Sequence, residues 1–161
     1  IEHAKGILGL VDFWRNRRAR VGSGHRLVLL GEPSISIEED EDIVVVTGAD
    51  DDVKWSLLQN ADFLINPSAM ESFSLVLFEA WAAGIPVLVN GYCATTREHV
   101  DEARGGLWYR SYLEFEVAVE RLVSDRDLRL RLAANGQTFA EQSYGWRDIV
   151  DRFTSFCEQL V

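Results

Sequence analysis

The chain has 161 residues, of which 47% are apolar and 26% are charged, a composition typical of one globular domain that excludes a disordered or low-complexity chain. Acidic residues outnumber basic ones by 26 to 16, giving a net charge of −10, so we expect no nucleic-acid partner. The two cysteines, Cys93 and Cys157, predict neither a disulfide framework nor a metal site and favour a reducing cytoplasm. Because Glu79 interrupts the longest apolar run, no membrane span is expected.

Helix-like and strand-like runs alternate through the first half of the chain. Apolar residues at helical spacing predict a first helix over residues 3–20 that ends near Gly22. Two β-branched runs that end in glycine, residues 25–31 and 42–48, are typical of buried strands. The Pro-, Ser- and acid-rich segment between them predicts a loop.

The second half continues this alternation. The pattern predicts a helix over 51–59, a strand over 62–67, a helix over 74–83 closed by Gly84, a strand over 86–90, a turn or short helix through Arg97 and His99, a small strand over 107–109, and helices over 112–123, 128–134 and 146–160. Alternating elements favour an α/β protein. We therefore expect a Rossmann-like, three-layer α/β/α fold with a mostly parallel sheet and a helical C-terminal tail.

The segment from Asn66 to Asn90 combines a strand end, a loop and a helix, and it carries an unusual carboxylate. Glu79 is the only charged residue between Ser74 and Val89, and apolar residues surround it on the predicted helix. A buried carboxylate is costly when unpaired, so Glu79 needs either a polar partner or a wet cleft. Glu71 lies in the preceding loop, close enough for both carboxylates to point into one crevice.

The chemistry of this crevice suits a nucleotide-sugar. Carboxylates are strong acceptors from hydroxyl groups. The first turn of the following helix offers unpaired backbone N–H groups and the positive end of the helix dipole, which suit a diphosphate. A diphosphate with hydroxylated groups at both ends matches this combination.

The same residues resemble a known family, the retaining, nucleotide-sugar-dependent glycosyltransferases of the GT-B fold (glycosyl transferases group 1). Its donor-binding motif, E-G-F-G-L-x-x-x-E-A-x-A-x-G-x-P-V, is similar to ESFSLVLFEAWAAGIPV here, with matches at Glu71, Phe73, Leu75, Glu79, Ala80, Ala82, Gly84, Pro86 and Val87. The pair Lys5 and Gly6, the segment NADFLINPS and the C-terminal run LVSDRDLRLRLAANGQTFA resemble further elements of the family.

The resemblance implies roles for three charged residues. Glu71 would be the catalytic-site residue beside the transferred sugar, and Glu79 would accept hydrogen bonds from the ribose hydroxyls. Lys5 would neutralise the diphosphate as its bond to the sugar breaks.

The resemblance also implies donor-binding roles for the loop between the two glutamates. The backbone N–H groups of Phe73, Ser74 and Leu75 would hold the sugar and the diphosphate. Ser72 and Ser74 stand where the family has glycine. Serine adopts a positive φ less easily than glycine. The two serine hydroxyls are candidates for ligand contact.

On the same grounds, residues 1–161 are expected to be one donor-binding domain, the C-terminal half of a GT-B glycosyltransferase. The N-terminal acceptor domain, the first strand of the donor domain and an arginine five residues before Lys5 would lie outside them. The expected partners are a nucleotide-diphosphate sugar, the protein's own N-terminal domain and an acceptor that is a glycan, a lipid-linked molecule or a small molecule. We expect no metal or other cofactor, an inactive isolated domain, and a cytoplasmic protein that is at most peripheral at the inner face of the membrane.

Two other functions remain open at this point. A non-catalytic nucleotide- or nucleotide-sugar-binding domain with a regulatory or assembly role is the alternative, which the serines at positions 72 and 74 keep open. A sugar-nucleotide epimerase of similar architecture would need acid–base groups that we cannot place in the sequence.

Other charged or reactive groups have simpler interpretations. We expect the acid runs at 38–42 and 50–52 to be solvated loops, since they lack calcium-loop spacing, and Cys93 to have a packing role. Four arginines near the end of the first helix are expected on its solvated face rather than at a lipid or RNA site: Arg15, Arg17, Arg18 and Arg20.

Overall fold

The computed structural model describes residues 5–159, and its strands and helices alternate as the sequence predicts. In chain order these elements are α1 Ile7–Val21, β1 Leu27–Leu30, β2 Ile43–Val46, α2 Asp51–Asn60, β3 Leu64–Asn66, α3 Leu75–Ala82, β4 Val87–Asn90, α4 Ala94–Ala103, β5 Gly106–Tyr109, α5 Tyr112–Ser124, α6 Arg126–Tyr144 and α7 Trp146–Glu158. No helix within the described range is long and apolar enough to cross a membrane.

Helices cover both faces of parallel strands. Strand β1 pairs with β2, and β4 pairs with β3 on one side and β5 on the other, always in parallel. Along β4, Val87 and Val89 pack into a core with α2, α3 and α4, whereas Leu88 packs into a second core with α1 and α5. Successive strand residues face opposite sides of a sheet. The predicted three-layer α/β/α fold is therefore confirmed.

The strands form two sheets separated by a groove. Within residues 5–159 no strand pairs with the second edge of β1 or of β3. A cavity of about 930 Å³ lies between these edges, lined by Leu27–Leu30 and by residues 62–66. The groove thus runs between β1 and β3 along the edges that have no ladder partner among the described residues.

Some helix bounds differ from the predicted ones. Helix α1 continues to Val21, and its predicted start at residue 3 lies outside the described residues, as does the predicted end of α7 at residue 160. Helix α4 is a complete ten-residue helix rather than a turn. Helix α6 runs through 19 residues and includes Gly136, a poor helix former. Gly136 is buried against Trp81 of α3, so tertiary packing outweighs the local preference.

The expectation that Arg17 lies on a solvated helix face is wrong. Its side chain is only 5% exposed, and Nη2 donates to Oε2 of Glu120 on α5 at 3.1 Å. The guanidinium carbon also lies 5.9 Å from the centroid of the Trp14 ring. Helix α5 packs across this face of α1, an arrangement that spacing within one helix does not reveal.

The acid run at 38–42 is likewise not simply solvated. Arg18 of α1 forms ion pairs with Asp40 at 2.9 Å and with Asp42 at 3.5 Å. Asp42 is buried. Hydrogen bonds from the backbone of Asp42 and the nearby Arg18 guanidinium hold the pKa of Asp40 below its usual value. This pairing joins α1 to the segment before β2.

Candidate functional site

A buried asparagine shapes the loop between β3 and α3. The Oδ1 atom of Asn66 accepts from the Ser68 backbone N–H at 3.0 Å, and its Nδ2 donates to Oγ of Ser74 at 2.8 Å. Since Asn66 ends β3 and Ser74 directly precedes α3, one side chain joins the two ends of the loop. The loop that carries Glu71 is thereby held in a fixed shape.

Ser74 adopts the left-handed conformation at the start of α3. Its φ is +68°, and its side chain makes no capping hydrogen bond. A residue other than glycine adopts this conformation at a cost that glycine avoids, whereas Ser72 is not among the residues with a positive φ. The first N–H groups of a helix have no intrahelical acceptor. The Ser74 hydroxyl accepts a hydrogen bond from Asn66 and does not cap the first N–H groups of α3.

Both glutamates are paired with lysines, and these are the only two lysines in the sequence. Lys5 Nζ lies 2.9 Å from Oε1 of Glu71, whose side chain is 14% exposed. Lys54 Nζ, from α2, lies 3.1 Å from Oε1 of Glu79. Glu79 therefore has the polar partner that its apolar surroundings require.

Lys54 contacts a second carboxylate. Its Nζ atom lies 3.1 Å from Oδ1 of Asp51. Hydrogen bonds to Asp51 and Glu79 raise the pKa of Lys54 above its ordinary value. The ammonium group therefore stays charged at neutral pH and balances the carboxylate of Glu79.

The glycine at position 6 allows Lys5 to reach the loop between β3 and α3. A Cβ atom at this position would lie 2.5 Å from the Pro67 carbonyl oxygen, and φ is +74°. Only glycine combines this conformation with such a close approach. The N-terminus of α1 can therefore lie against the end of β3, which brings the preceding lysine to Glu71.

One cavity connects these groups. The groove between the two sheets continues to the N-terminus of α3, so both glutamates face one crevice, as predicted. The site residues that line it are Lys5, Lys54, Glu71, Ser74, Leu75 and Glu79.

Two of the predicted donor-binding residues do not line the cavity. Ser72 is exposed. The ring of Phe73 stacks on Phe78 of α3, with centroids 4.8 Å apart, and contacts His99 and Tyr144 edge to face. The side chain of Phe73 thus anchors the loop. Its backbone N–H as a ligand contact stays a prediction.

Sequence reasoning missed two residues that shape the site. The signal for Lys54 is its rarity, since it is the only lysine in the sequence besides Lys5. Asn66 directly precedes a proline at a strand end, a position where side chains often organise a turn. Neither feature shows which residue the side chain contacts.

The described residues show no group of three or more His, Cys, Asp or Glu side chains placed to hold a metal ion. Cys93 is buried and Cys157 exposed, and both are free thiols. The burial of Cys93 agrees with the predicted packing role. Independence from a metal stays a prediction.

Proteins of known class are similar to this chain in sequence or in fold. An N,N'-diacetylbacillosaminyl-diphospho-undecaprenol alpha-1,3-N-acetylgalactosaminyltransferase of Campylobacter jejuni is 31% identical over 107 residues, which are 65% of this chain and 28% of that protein. Anabaena HepE, solved with UDP-glucose, superposes with a TM-score of 0.79 at 17% identity over 99% of this chain and 46% of that one. The C-terminal domain of a glycosyl transferase group 1 protein (LpcC) from Francisella tularensis gives a TM-score of 0.75 at 20% identity over 91% of this chain and 83% of that one.

The chain spans less than half of the Campylobacter and Anabaena proteins. The structural likeness extends over nearly the whole chain and supports the GT-B glycosyltransferase fold. Residues 1–139 match the glycosyl transferases group 1 family. The chain therefore belongs to the glycosyl transferases group 1 family.

Proposed function

We propose that this domain binds a nucleotide-diphosphate sugar and presents it for retaining transfer of the sugar to an acceptor. The observation that carries this proposal is the pair of Lys–Glu contacts, Lys5–Glu71 and Lys54–Glu79, on one cavity at the N-terminus of α3. The site offers cations and free N–H groups for a diphosphate, and carboxylates for hydroxyl groups on either side of it.

In the proposed complex the diphosphate lies between the N-terminus of α3 and Lys5. The free backbone N–H groups and the helix dipole favour an anion there. Glu79, one turn into the helix, accepts from the ribose hydroxyls, and Glu71 lies beside the sugar. This assignment follows the resemblance of the motif residue by residue.

The same placement supports the chemistry of transfer. When the bond between the sugar and the diphosphate breaks, positive charge develops on the sugar ring and negative charge on the leaving diphosphate. Lys5 and the α3 dipole stabilise the leaving group, and the Glu71 carboxylate stabilises the sugar. Such groups act most strongly where water is excluded.

We further propose that the full-length protein supplies a strand between β1 and β3 and a separate domain that makes most of the contacts to the acceptor. Among residues 5–159, the outer edges of β1 and β3 have no ladder partner and both strands line one groove, whereas the backbone N–H and C=O groups of strands are normally paired. The two cysteines are free, in keeping with the cytoplasmic location that we expect.

Calorimetric titration of the 161-residue chain with UDP, GDP and ADP tests the binding step. We expect at least one of them to bind without Mg²⁺, with a dissociation constant on the order of 1 mM, about 4 kcal/mol, because Lys5 and the α3 N-terminus carry the diphosphate. Binding that strictly requires Mg²⁺ would contradict this arrangement, since the acidic residues would then be handling the phosphates. No binding of any of the three would refute the proposal.

A further inference from the structure

Two arginines converge at the carboxyl ends of β4 and β5. Gly91 directly follows β4, and its carbonyl oxygen accepts from Arg97 Nη1 at 3.4 Å and from Arg110 Nε at 3.3 Å. Arg97 belongs to α4 and Arg110 directly follows β5. One backbone oxygen therefore holds two guanidinium groups close together.

These guanidinium groups have no carboxylate partner within residues 5–159. Neither appears in an ion pair, whereas Arg15, Arg18 and Arg20 of α1 each do. Two like charges in close proximity repel each other. The Glu114 carboxylate accepts from the backbone N–H of Arg110 at 2.6 Å and not from its guanidinium group, so an anion would still stabilise the two cations that converge on one neutral oxygen.

Two aromatic rings flank Arg110. The guanidinium carbon of Arg110 lies 5.1 Å from the centroid of the Trp108 ring and 5.9 Å from that of Tyr92. Stacking of this kind orients a guanidinium group without neutralising it. Trp108 is held in turn by a hydrogen bond to Asp101 at 3.1 Å, while the side chain of Tyr92 is largely exposed, at 69%. An apolar ring face thus lies open to solvent beside the paired cations.

We call this group the arginine–aromatic cluster; it consists of Tyr92, Arg97, Trp108 and Arg110. It lies at the carboxyl ends of the strands, as does the loop that carries Glu71. Asn90, the last residue of β4, donates from Nδ2 to the Pro67 carbonyl oxygen at 3.0 Å. That hydrogen bond joins the end of β4 to the beginning of the loop. A molecule held at the cluster would therefore approach the proposed donor site along the carboxyl ends of the strands.

We propose that Arg97 and Arg110 bind a phosphate group carried by a sugar acceptor, and that Tyr92 packs against its sugar ring. Guanidinium groups bind phosphate oxygens with paired, charge-assisted hydrogen bonds. The acceptor assignment rests on the proposed function. The phosphate site itself does not, because its residues differ from those proposed to bind the donor.

The binding test uses glucose 6-phosphate, inorganic phosphate and glucose as probes, each titrated into the chain in the presence of saturating UDP and followed by NMR chemical shifts. We expect glucose 6-phosphate to bind more tightly than inorganic phosphate, and glucose not to bind. Arg97→Gln and Arg110→Gln should each weaken glucose 6-phosphate binding at least fivefold, and Arg97→Lys should retain most of it. Tyr92→Ala should remove the advantage of glucose 6-phosphate over inorganic phosphate.

Arg121→Gln is the matched control, because Arg121 is exposed on α5 and its loss changes the net charge equally. It should leave glucose 6-phosphate binding unchanged, and circular dichroism should show every variant to be folded. Equal binding by the Arg121 variant and both cluster variants, or equal affinity for glucose 6-phosphate and inorganic phosphate, would overturn the proposal. Unchanged UDP binding by the cluster variants would show that the donor site is intact, so failure of the phosphate proposal can be told apart from failure of the donor site. Glu79→Gln tests the donor site itself.

Discussion

Each glutamate of the proposed donor site is held by a lysine from a different element. Lys5 lies just before α1 and pairs with Glu71, whereas Lys54 lies on α2 and pairs with Glu79. A charge-assisted hydrogen bond to a fixed cation holds a carboxylate in one orientation. The pairing therefore prepares both glutamates to accept hydroxyl hydrogen bonds.

Substitution of the two glutamates should separate their roles. In a titration of this chain with whichever of UDP, GDP and ADP binds most tightly, Glu79→Gln should weaken binding by about 1.5–3 kcal/mol, the range for a hydrogen bond to a charged group. Lys54 keeps Asp51 as a partner, so this loss reports mainly on the ligand. Glu71→Gln should change affinity much less, because Glu71 is assigned to the sugar, which these nucleotides lack.

Glu98→Gln provides the control for this pair, since Glu98 is exposed on α4 and its replacement should leave nucleotide affinity unchanged. In the full-length enzyme, Glu71→Gln should lower turnover more than nucleotide affinity. Equal weakening of nucleotide binding by both substitutions would refute the assignment of Glu71 to the sugar.

Among the elements, α6 packs closely against α3 and α4. Trp81 of α3 is fully buried, and its Nε1 donates to the Gly105 carbonyl oxygen at 2.9 Å. Gly136 of α6 lies against the indole ring, where a Cβ atom would overlap it. Since α3 also carries Glu79 and begins at the proposed anion site, this contact fixes the helix on which the site depends.

Two glycine-to-alanine changes in helices should therefore have opposite effects. Gly136→Ala should lower the free energy of unfolding by about 1–3 kcal/mol, the usual cost of overpacking a core. Gly9→Ala is the matched control: Gly9 is exposed in α1, and apart from its own stretch of helix no atom lies within 4 Å of the position that a Cβ would take. Alanine should therefore stabilise the protein by about 0.5–1 kcal/mol through helix propensity. Urea unfolding followed by circular dichroism measures both. Similar shifts in the two variants would show that α6 does not pack on Trp81 this closely.

Across the whole molecule, the site is open. The cavity extends from the groove between β1 and β3 to the N-terminus of α3 and is partly open to solvent. Transfer requires donor and acceptor to be aligned, and alignment contributes roughly 7–11 kcal/mol toward lowering the barrier. Exclusion of water contributes further. We do not expect one α/β/α domain to supply both conditions.

We therefore predict that this chain alone neither transfers nor hydrolyses the sugar above background. Radiolabelled UDP-glucose and UDP-N-acetylgalactosamine, incubated with the chain and with the full-length protein, would measure released and transferred sugar. Activity should appear only with the full-length protein. Robust transfer by residues 1–161 would contradict the proposed division of labour between two domains, and nucleotide binding without activity in the full-length protein would favour a non-catalytic role.

The order of elements and the chemistry of the central segment were accessible from the amino-acid sequence. Hydrophobic spacing identified the alternation of helices and strands, because burial of one helix face or both strand faces leaves a local periodic pattern. The isolation of Glu79 in an apolar run showed that it needed a partner, and the spacing of Glu71, Glu79 and Gly84 carried the family resemblance. These features depend on residues that are near one another in the chain.

Only the tertiary structure decided which distant residues meet. Lys5 and Glu71 are separated by 66 positions, and Arg17 and Glu120 by 103, so no local pattern predicts either ion pair. Arg17 has the same sequence context as the more exposed Arg15, Arg18 and Arg20, yet α5 covers it. The separation of the strands into two sheets also depends on pairing across the fold, because backbone hydrogen bonds between parallel strands carry no signature in the side-chain sequence of either strand.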